Sequence, residues 1–288
     1  MESRFILTLK DLTNLCRPNQ WYKNLVIFIA IFFLEEIFVF DKLYVVFLGF
    51  VSLSFISSVS YIINDIVDRK KDLLNNEKKI RPIAAGRIKI LPALFFSLFL
   101  FLVAILIGSY ISFYFVISIL GLFFMMMLYT FYLKKEVFMD IIGIAVNFVL
   151  RAVSGSIILG AAISPWLVIG TFFLSLFLST GKRISESNNF SEEFRPTLKY
   201  YTPRVTQPLI TASATILILS FSFYSFLSNH QQIIFVLPFF VYVVLRYVYL
   251  IESGSVIARR PEFMYKDRQF FIGFILTLIA TLLLVYLF

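Results

Sequence analysis

The run Asn64-Asp65-Ile66-Val67-Asp68-Arg69-Lys70-Lys71-Asp72 carries three carboxylates and an amide at spacings of three, four and seven residues. On an α-helix that advances about 100° per residue, Asp65 and Asp72 lie about 20° apart, Asp68 about 60° away, and Asn64 falls beside Asp68. Carboxylates gathered on one helix face repel one another unless a cation sits among them. Hard oxygen donors in an open arrangement suit Mg²⁺, which is held by a few carboxylates and completed by substrate phosphates. Asn64, Asp65, Asp68 and Asp72 are therefore read as a magnesium clamp for a diphosphate, with the three aspartates as catalytic residues. A one-residue change of helix phase would exchange Asn64 and Asp65 as first ligand. The same pattern also suits a solvated helix end whose charge is offset by Arg69, Lys70 and Lys71.

The next segment, Lys78-Lys79-Ile80-Arg81-Pro82-Ile83-Ala84-Ala85-Gly86-Arg87, has phosphate-binding chemistry. Arg-Pro sets an extended turn, Ala-Ala-Gly lets a backbone approach closely, and the planar guanidinium forks of Arg81 and Arg87 match phosphate oxygens. A basic loop that touches lipid headgroups is the alternative. One cysteine, Cys16, and one histidine, His230, rule out an internal disulfide and a Cys/His zinc site.

The elements that must position these groups are membrane helices. The 288 residues are 60% hydrophobic and only 15% charged, too little polar surface for a water-soluble domain. The apolar residues come in blocks near the ~20 residues that a helix needs to cross a hydrocarbon core. This is not the alternation of a β-barrel. The expected fold is an all-α polytopic bundle of about nine spans, near 21–40, 43–67, 92–109, 112–133, 138–160, 165–183, 206–228, 232–252 and 268–288. No linker divides them, so 1–288 is read as one domain. The first apolar run arrives too late for a simple cleavable signal peptide, and span one is expected to remain as an anchor.

Eight basic residues lie in 68–91, and others follow spans four, six and eight, among them Lys134, Lys135, Arg195 and Arg259, while the alternate loops hold only Lys42. The positive-inside rule then puts the N-terminus in the cytoplasm and the C-terminus outside, in a bacterial inner membrane. The net charge of +9 belongs to one membrane face and signals no nucleic-acid partner.

Charges inside or at the ends of spans complete the candidates. Arg151 lies within span five, where a charge costs on the order of 3 kcal/mol by insertion scales, so it needs a partner. Asp140, Asn147 and Arg151 fall within about 40° on one face, so Asp140 is positioned to orient Arg151 or another basic residue, or to accept a proton. A structural polar seam between helices is the alternative. Lys182 and Arg183 form a phosphate grip with Glu186 to orient it, or else a simple helix pair. Lys23, Asn24, Tyr129 and Lys134 end spans on the same side, as do Arg246 and Asp267, and a Lys or Tyr there is also an ordinary interfacial anchor.

These residues carry a resemblance. The aspartate run followed by Arg-Pro-Ile-Ala-Ala-Gly resembles the UbiA superfamily of intramembrane prenyltransferases. Arg17-Pro18-Asn19-Gln20-Trp21-Tyr22-Lys23-Asn24, Phe148-Val149-Leu150-Arg151-Ala152-Val153-Ser154-Gly155 and Gly181-Lys182-Arg183-Ile184-Ser185-Glu186 are similar to its decaprenyl-phosphate phosphoribosyltransferase branch. The resemblance implies a Mg²⁺-dependent transferase that takes phosphoribosyl pyrophosphate as donor and a polyprenyl phosphate as acceptor, the product serving envelope polysaccharide assembly. Both substrates would meet in a cytoplasmic-side cavity. Other members carry a second aspartate-rich motif after the sixth span, where this chain has Gly-Lys-Arg and Glu186. A prenyl transferase acting on an aromatic acceptor would need Glu192 and Glu193 in that role. A transporter lined by Arg151 and Asp140 would need polar residues through the outer half as well. Nothing in the sequence opposes a homo-oligomer.

Overall fold

A computed structural model describes residues 10–75, 77–189 and 196–287, and the described residues are helical with no strand. Among the described residues eight helices are long and apolar enough to cross a membrane, the seventh only together with the 3₁₀ segment Gln231–Val236 that leads into it, which makes the chain an integral membrane protein. They are α1 (Phe40–Leu74), α2 (Ile90–Ile111), α3 (Phe113–Phe131), α4 (Met139–Ile158), α5 (Pro165–Asn189), α6 (Pro203–Leu227), α7 (Leu237–Glu252) and α8 (Arg268–Tyr286). The expected first span differs. Pro18–Ile27 winds as a 3₁₀ helix that runs into a six-residue α-helix, Phe28–Phe33, and the chain then turns through Glu35 at φ 60°. Within it Trp21 and Asn24 direct hydrogen bonds onto serines of α1, and Trp21 also reaches Cys16 O.

The helices divide into two compact units. The first takes the residues up to Tyr132 together with Leu150–Ala162. Its core is Ile27, Ile31, Val46, Leu53, Ile56, Phe115, Ile119 and Leu122. Along α1 the buried face includes Ser52, Ser54, Ser57, Ser58 and Ser60. A hydroxyl in hydrocarbon needs a partner, and these find backbone carbonyls: Ser54 donates to Phe50 O, Ser58 to Ser54 O, Ser60 to Ile56 O, and Ser52 across to Ala104 O on α2 at 2.9 Å. Their small size lets neighbouring segments come close.

The second unit takes Leu133–Val149 and the residues from Ile163 onward. Phe177, Leu217, Val244, Tyr247, Leu250 and Ile251 form its main core. Gly181 opens the Gly-Lys-Arg motif and serves packing: a Cβ there would stand 2.6 Å from Ile251 Cδ1. Arg246 holds Asp267 through Nη2 at 2.8 Å and Nε at 3.2 Å, and Asp267 caps α8 by accepting from Phe270 N at 2.7 Å. The Arg246 hydrogen bond holds the Asp267 carboxyl below the usual carboxylate range, with the Phe270 amide helping.

Two outcomes follow. A Cβ at Gly155 would stand 2.1 Å from the backbone oxygen of Ile27, which no rotamer change relieves. Gly155→Ala should destabilise the first unit by about 2 kcal/mol, seen as a lowered Tm in detergent. Asp267, with its depressed folded pKa, contributes stability above the ordinary carboxyl pKa of about 4 that is lost as pH falls through that range. The Tm of Asp267→Asn should therefore fall less than that of the native chain between pH 6 and pH 3, about two units above and one unit below that pKa.

Candidate active site

α1 runs unbroken from Phe40 to Leu74, so Asp65, Asp68 and Asp72 do share one helix. Asn75 ends it in an extended conformation, and its Oδ1 accepts from Glu77 N at 2.9 Å and Lys78 N at 3.2 Å. Successive turns follow, Arg81 N bonding Lys78 O, Ala85 N bonding Arg81 O and Arg87 N bonding Pro82 O. Ile83 is sunk beside Leu15, Val59 and Ile62, and Gly86 takes φ 71° to let the chain leave. With Ile83 anchored, Arg81 is carried back over the helix. Its Nη1 lies 2.9 Å from Asp65 Oδ1 and 2.7 Å from Asp72 Oδ2.

Arg17 closes the other side. It donates to the same Asp65 oxygen, and its guanidinium sits 5.3 Å from the Tyr61 ring centroid. Its backbone is left-handed at φ 49°, just ahead of Pro18. A non-glycine residue held there is strained, and the surrounding bonds over-determine it. Trp21 Nε1 donates to Cys16 O and Ser58 Oγ, and Ser58 Oγ donates to Cys16 O at 2.9 Å. Burial pushes the Cys16 thiol up to about 11, against a small opposing effect of its Ser58 bond, so it stays protonated.

Asp65 and Asp72 are buried, while Asn64 and Asp68 are half-buried. Among the described residues no three His, Cys, Asp or Glu side chains gather as a ready-made metal cage. The donor set nevertheless fits Mg²⁺. Two carboxylates already close around one positive nitrogen, and this ion needs no more than one or two when phosphates and water complete its shell.

A second network lies deeper in the same unit. Asn24 donates to Ser54 Oγ at 3.0 Å, and its Oδ1 accepts from Arg151 Nε at 2.7 Å and from Ser57 Oγ at 3.4 Å. Arg151 Nη2 also lies 3.7 Å from Met126 Sδ. Sequence spacing puts Arg151 on one face with Asp140 and Asn147, and the fold brings it Asn24 from a distant segment as a partner.

The second unit holds its own charged cluster. Asp140, fully buried, accepts from Arg183 Nε at 2.9 Å and from the Tyr201 hydroxyl. Arg183, 2% exposed at its side chain, also donates through Nη1 to Glu186 Oε2 at 2.6 Å, and Lys182 Nζ stands 3.8 Å from Glu186 Oε1. Phe138 N donates to the Tyr201 oxygen at 3.2 Å. Burial raises the Tyr201 pKa, and the Asp140 hydrogen bond and charge raise it further, so the hydroxyl remains a donor. With both oxygens engaged, Asp140 orients Arg183. Asn147 is buried in the same helix and donates to Gly143 O at 2.7 Å.

Lys23 lies 5.9 Å from the Tyr22 ring centroid. Tyr129 and Lys134 are half-buried. Arg87 is occupied with Asp11, at 2.9 and 3.2 Å, and with Ile80 O at 2.8 Å, so it ties the residue 10–16 helix to the loop. Glu192, Glu193 and Arg195 lie outside the described residues. Sequence reasoning missed Arg17 and Tyr201. Arg17 had a signal in its Arg-Pro step beside a polar stretch, whereas Tyr201, two residues before the helix-opening Pro203, had none.

An all-helical membrane bundle with a carboxylate–guanidinium site at the end of α1 defines a class of intramembrane enzyme. Residues 24–275 match the UbiA prenyltransferase family, and the chain belongs to it. It is 30% identical to the decaprenyl-phosphate phosphoribosyltransferase of Corynebacterium glutamicum over 256 residues, 83% of this chain and 76% of the relative. The enzyme of the same name from Mycolicibacterium smegmatis is 28% identical over 273 residues, 88% and 85% of the two chains. Among solved structures, a UbiA homolog from Archaeoglobus fulgidus bound to GPP and Mg²⁺ superposes with a TM-score of 0.73 at 19% identity, covering 96% of this chain and 99% of that one.

Breaking a buried ion pair by removing one partner costs about 3–5 kcal/mol, whereas a hydrogen bond to a charged group contributes about 1.5–3. Asp140→Ala should therefore lower the Tm in detergent more than Tyr201→Phe. An equal loss would mean that Arg183 does not depend on Asp140.

Proposed function

We propose that this protein moves a 5-phosphoribosyl group from phosphoribosyl pyrophosphate to a polyprenyl phosphate. The observation that carries this reading is the Arg183 cluster. After the sixth expected span, where a diphosphate-activating prenyl transferase would offer a second set of free carboxylates, this chain buries a guanidinium between Asp140 and Glu186. Among the described residues, the carboxylates at this place are thus engaged by a guanidinium and not open to a second metal. The identity to two proteins named decaprenyl-phosphate phosphoribosyltransferase, over more than four-fifths of this chain, supports the same choice.

In this reading Asp65 and Asp72, with Asp68 and Asn64 on the same helix end, hold Mg²⁺. When bound, the ion would neutralise charge on the departing pyrophosphate. Arg17 and Arg81 offer guanidinium forks to the donor's diphosphate. The bond from the anomeric carbon to pyrophosphate breaks, its electron pair leaving with pyrophosphate, and a phosphate oxygen of the lipid forms the new bond to that carbon. That oxygen is already ionised near neutral pH, so the step asks for orientation and charge stabilisation and not for a strong base. Lys182, with Arg183 fixed behind it by Asp140 and Glu186, is assigned to a substrate phosphate, as are Lys23, Asn24, Tyr129, Lys134, Asn147 and Arg151. The proposal keeps 1–288 as one transferase domain and places the reaction on the cytoplasmic side, where the basic loops belong.

The test is a two-donor assay on detergent-purified protein with Mg²⁺ or with EDTA. Labelled phosphoribosyl pyrophosphate with a polyprenyl phosphate should give labelled lipid only with the metal, while a polyprenyl diphosphate with 4-hydroxybenzoate should give nothing. Product in the second tube alone would replace this reading by aromatic prenyl transfer. Asp68→Ala should abolish the first activity while leaving the Tm within ~1 kcal/mol equivalent of the native chain, because a half-buried helix-end carboxylate contributes little to packing.

A further inference from the structure

A single nitrogen of Arg81 stands where a cation between Asp65 and Asp72 would stand. It lies 2.9 and 2.7 Å from one oxygen of each carboxylate. Arg17 adds a second guanidinium on Asp65. Two carboxylates and two guanidinium groups leave these four side chains neutral without a metal. A free divalent cation that entered between the carboxylates would meet both guanidinium groups at contact range and add two positive charges to a balanced set. Where water is scarce that repulsion is strong. A diphosphate reverses the balance, since it brings several negative charges and the bidentate oxygen geometry that a guanidinium prefers.

The two arginines are built to change partners. The carboxylates are almost wholly buried, but the side chains of Arg17 and Arg81 keep 21% and 22% of their surface exposed. The backbone behind Arg81 is fixed, with Ile83 and Ala84 buried and the 81–88 turns hydrogen-bonded, so only the side chain has to swing. Arg17 already rests against the Tyr61 ring, which keeps its charge in contact when it leaves Asp65.

We propose that Arg81 is a resident stand-in for the metal, and that it yields Asp65 and Asp72 to the cation only when a diphosphate arrives to take its guanidinium. Metal and diphosphate then bind as a linked pair, each raising the affinity for the other by the same factor. The proposal rests on the assignment of Asp65 and Asp72 as metal ligands under Proposed function. It gives Arg81 two successive partners.

The test measures Mn²⁺ binding to the full chain in detergent, by loss of the free-ion EPR signal, with no phosphate present. The native chain should bind Mn²⁺ weakly. Arg81→Gln should bind it at least tenfold more tightly, because the bridging charge is gone, and Arg81→Lys, which keeps the charge without the fork, should fall between the two. Arg17→Gln should give a smaller gain, since Arg17 bonds only one of the two carboxylates. Asp72→Asn combined with Arg81→Gln should abolish the gain. If the native chain binds Mn²⁺ as tightly as the Arg81 variants, and Asp72→Asn removes that binding, the metal ligands stand and the stand-in role of Arg81 falls. If no variant shows Mn²⁺ binding that depends on Asp72, both fall together.

Discussion

A charge withdrawn from water must be neutralised where it sits, and this chain meets that constraint with guanidinium groups that each hold two carboxylates. In the first unit Arg81 joins Asp65 to Asp72, and in the second Arg183 joins Asp140 to Glu186. Neither arrangement is cheap, because desolvating three charged groups offsets much of their mutual attraction. Each joins carboxylates from separate positions in the chain. The two differ in exposure. Arg81 is part-exposed and carried by a loop, whereas Arg183 is almost fully buried within a helix and braced through Asp140 by Tyr201.

The helical frame follows from the same scarcity of water. A segment in hydrocarbon must satisfy its own backbone, which leaves helices as the elements and favours buried hydroxyls that bond back to a carbonyl. Ser52, Ser54, Ser58 and Ser60 of α1 do so, and their small side chains admit the Pro18–Ile27 segment with its Trp21 and Asn24 bonds. Gly155 works to the same end, since only a missing side chain allows α4 to lie against the Ile27 carbonyl. The segment that looked like an ordinary first span is thus a wound, polar-anchored strap that delivers Arg17 to Asp65.

Membership of the UbiA prenyltransferase family sets the fold and the kind of chemistry, and the departures within this chain set the proposed substrates. A site with one carboxylate pair, rich in guanidinium groups, is suited to a donor that carries its own phosphates and to an acceptor that is itself an anion. A carbocation-like prenyl group would ask for the opposite, namely more carboxylate and metal and fewer fixed cations.

By itself the amino-acid sequence determined the membrane class, the helix spans after the first and the placement of Asp65, Asp68 and Asp72 on one helix, because apolar block length and helical period are local properties. It also identified Arg81, Asp140, Arg183 and Glu186 as residues with chemistry. It did not determine who pairs with whom. Arg151 bonds Asn24, 127 residues away, and Asp140 takes Arg183 and Tyr201 at separations of 43 and 61. Those choices are made by packing between distant segments, which no spacing rule within one helix can express. The anchoring of Pro18–Ile27 was hidden for the same reason, since Trp21 and Asn24 bond serines on another helix. Arg87 likewise looked like a phosphate ligand until the fold brought Asp11 beside it.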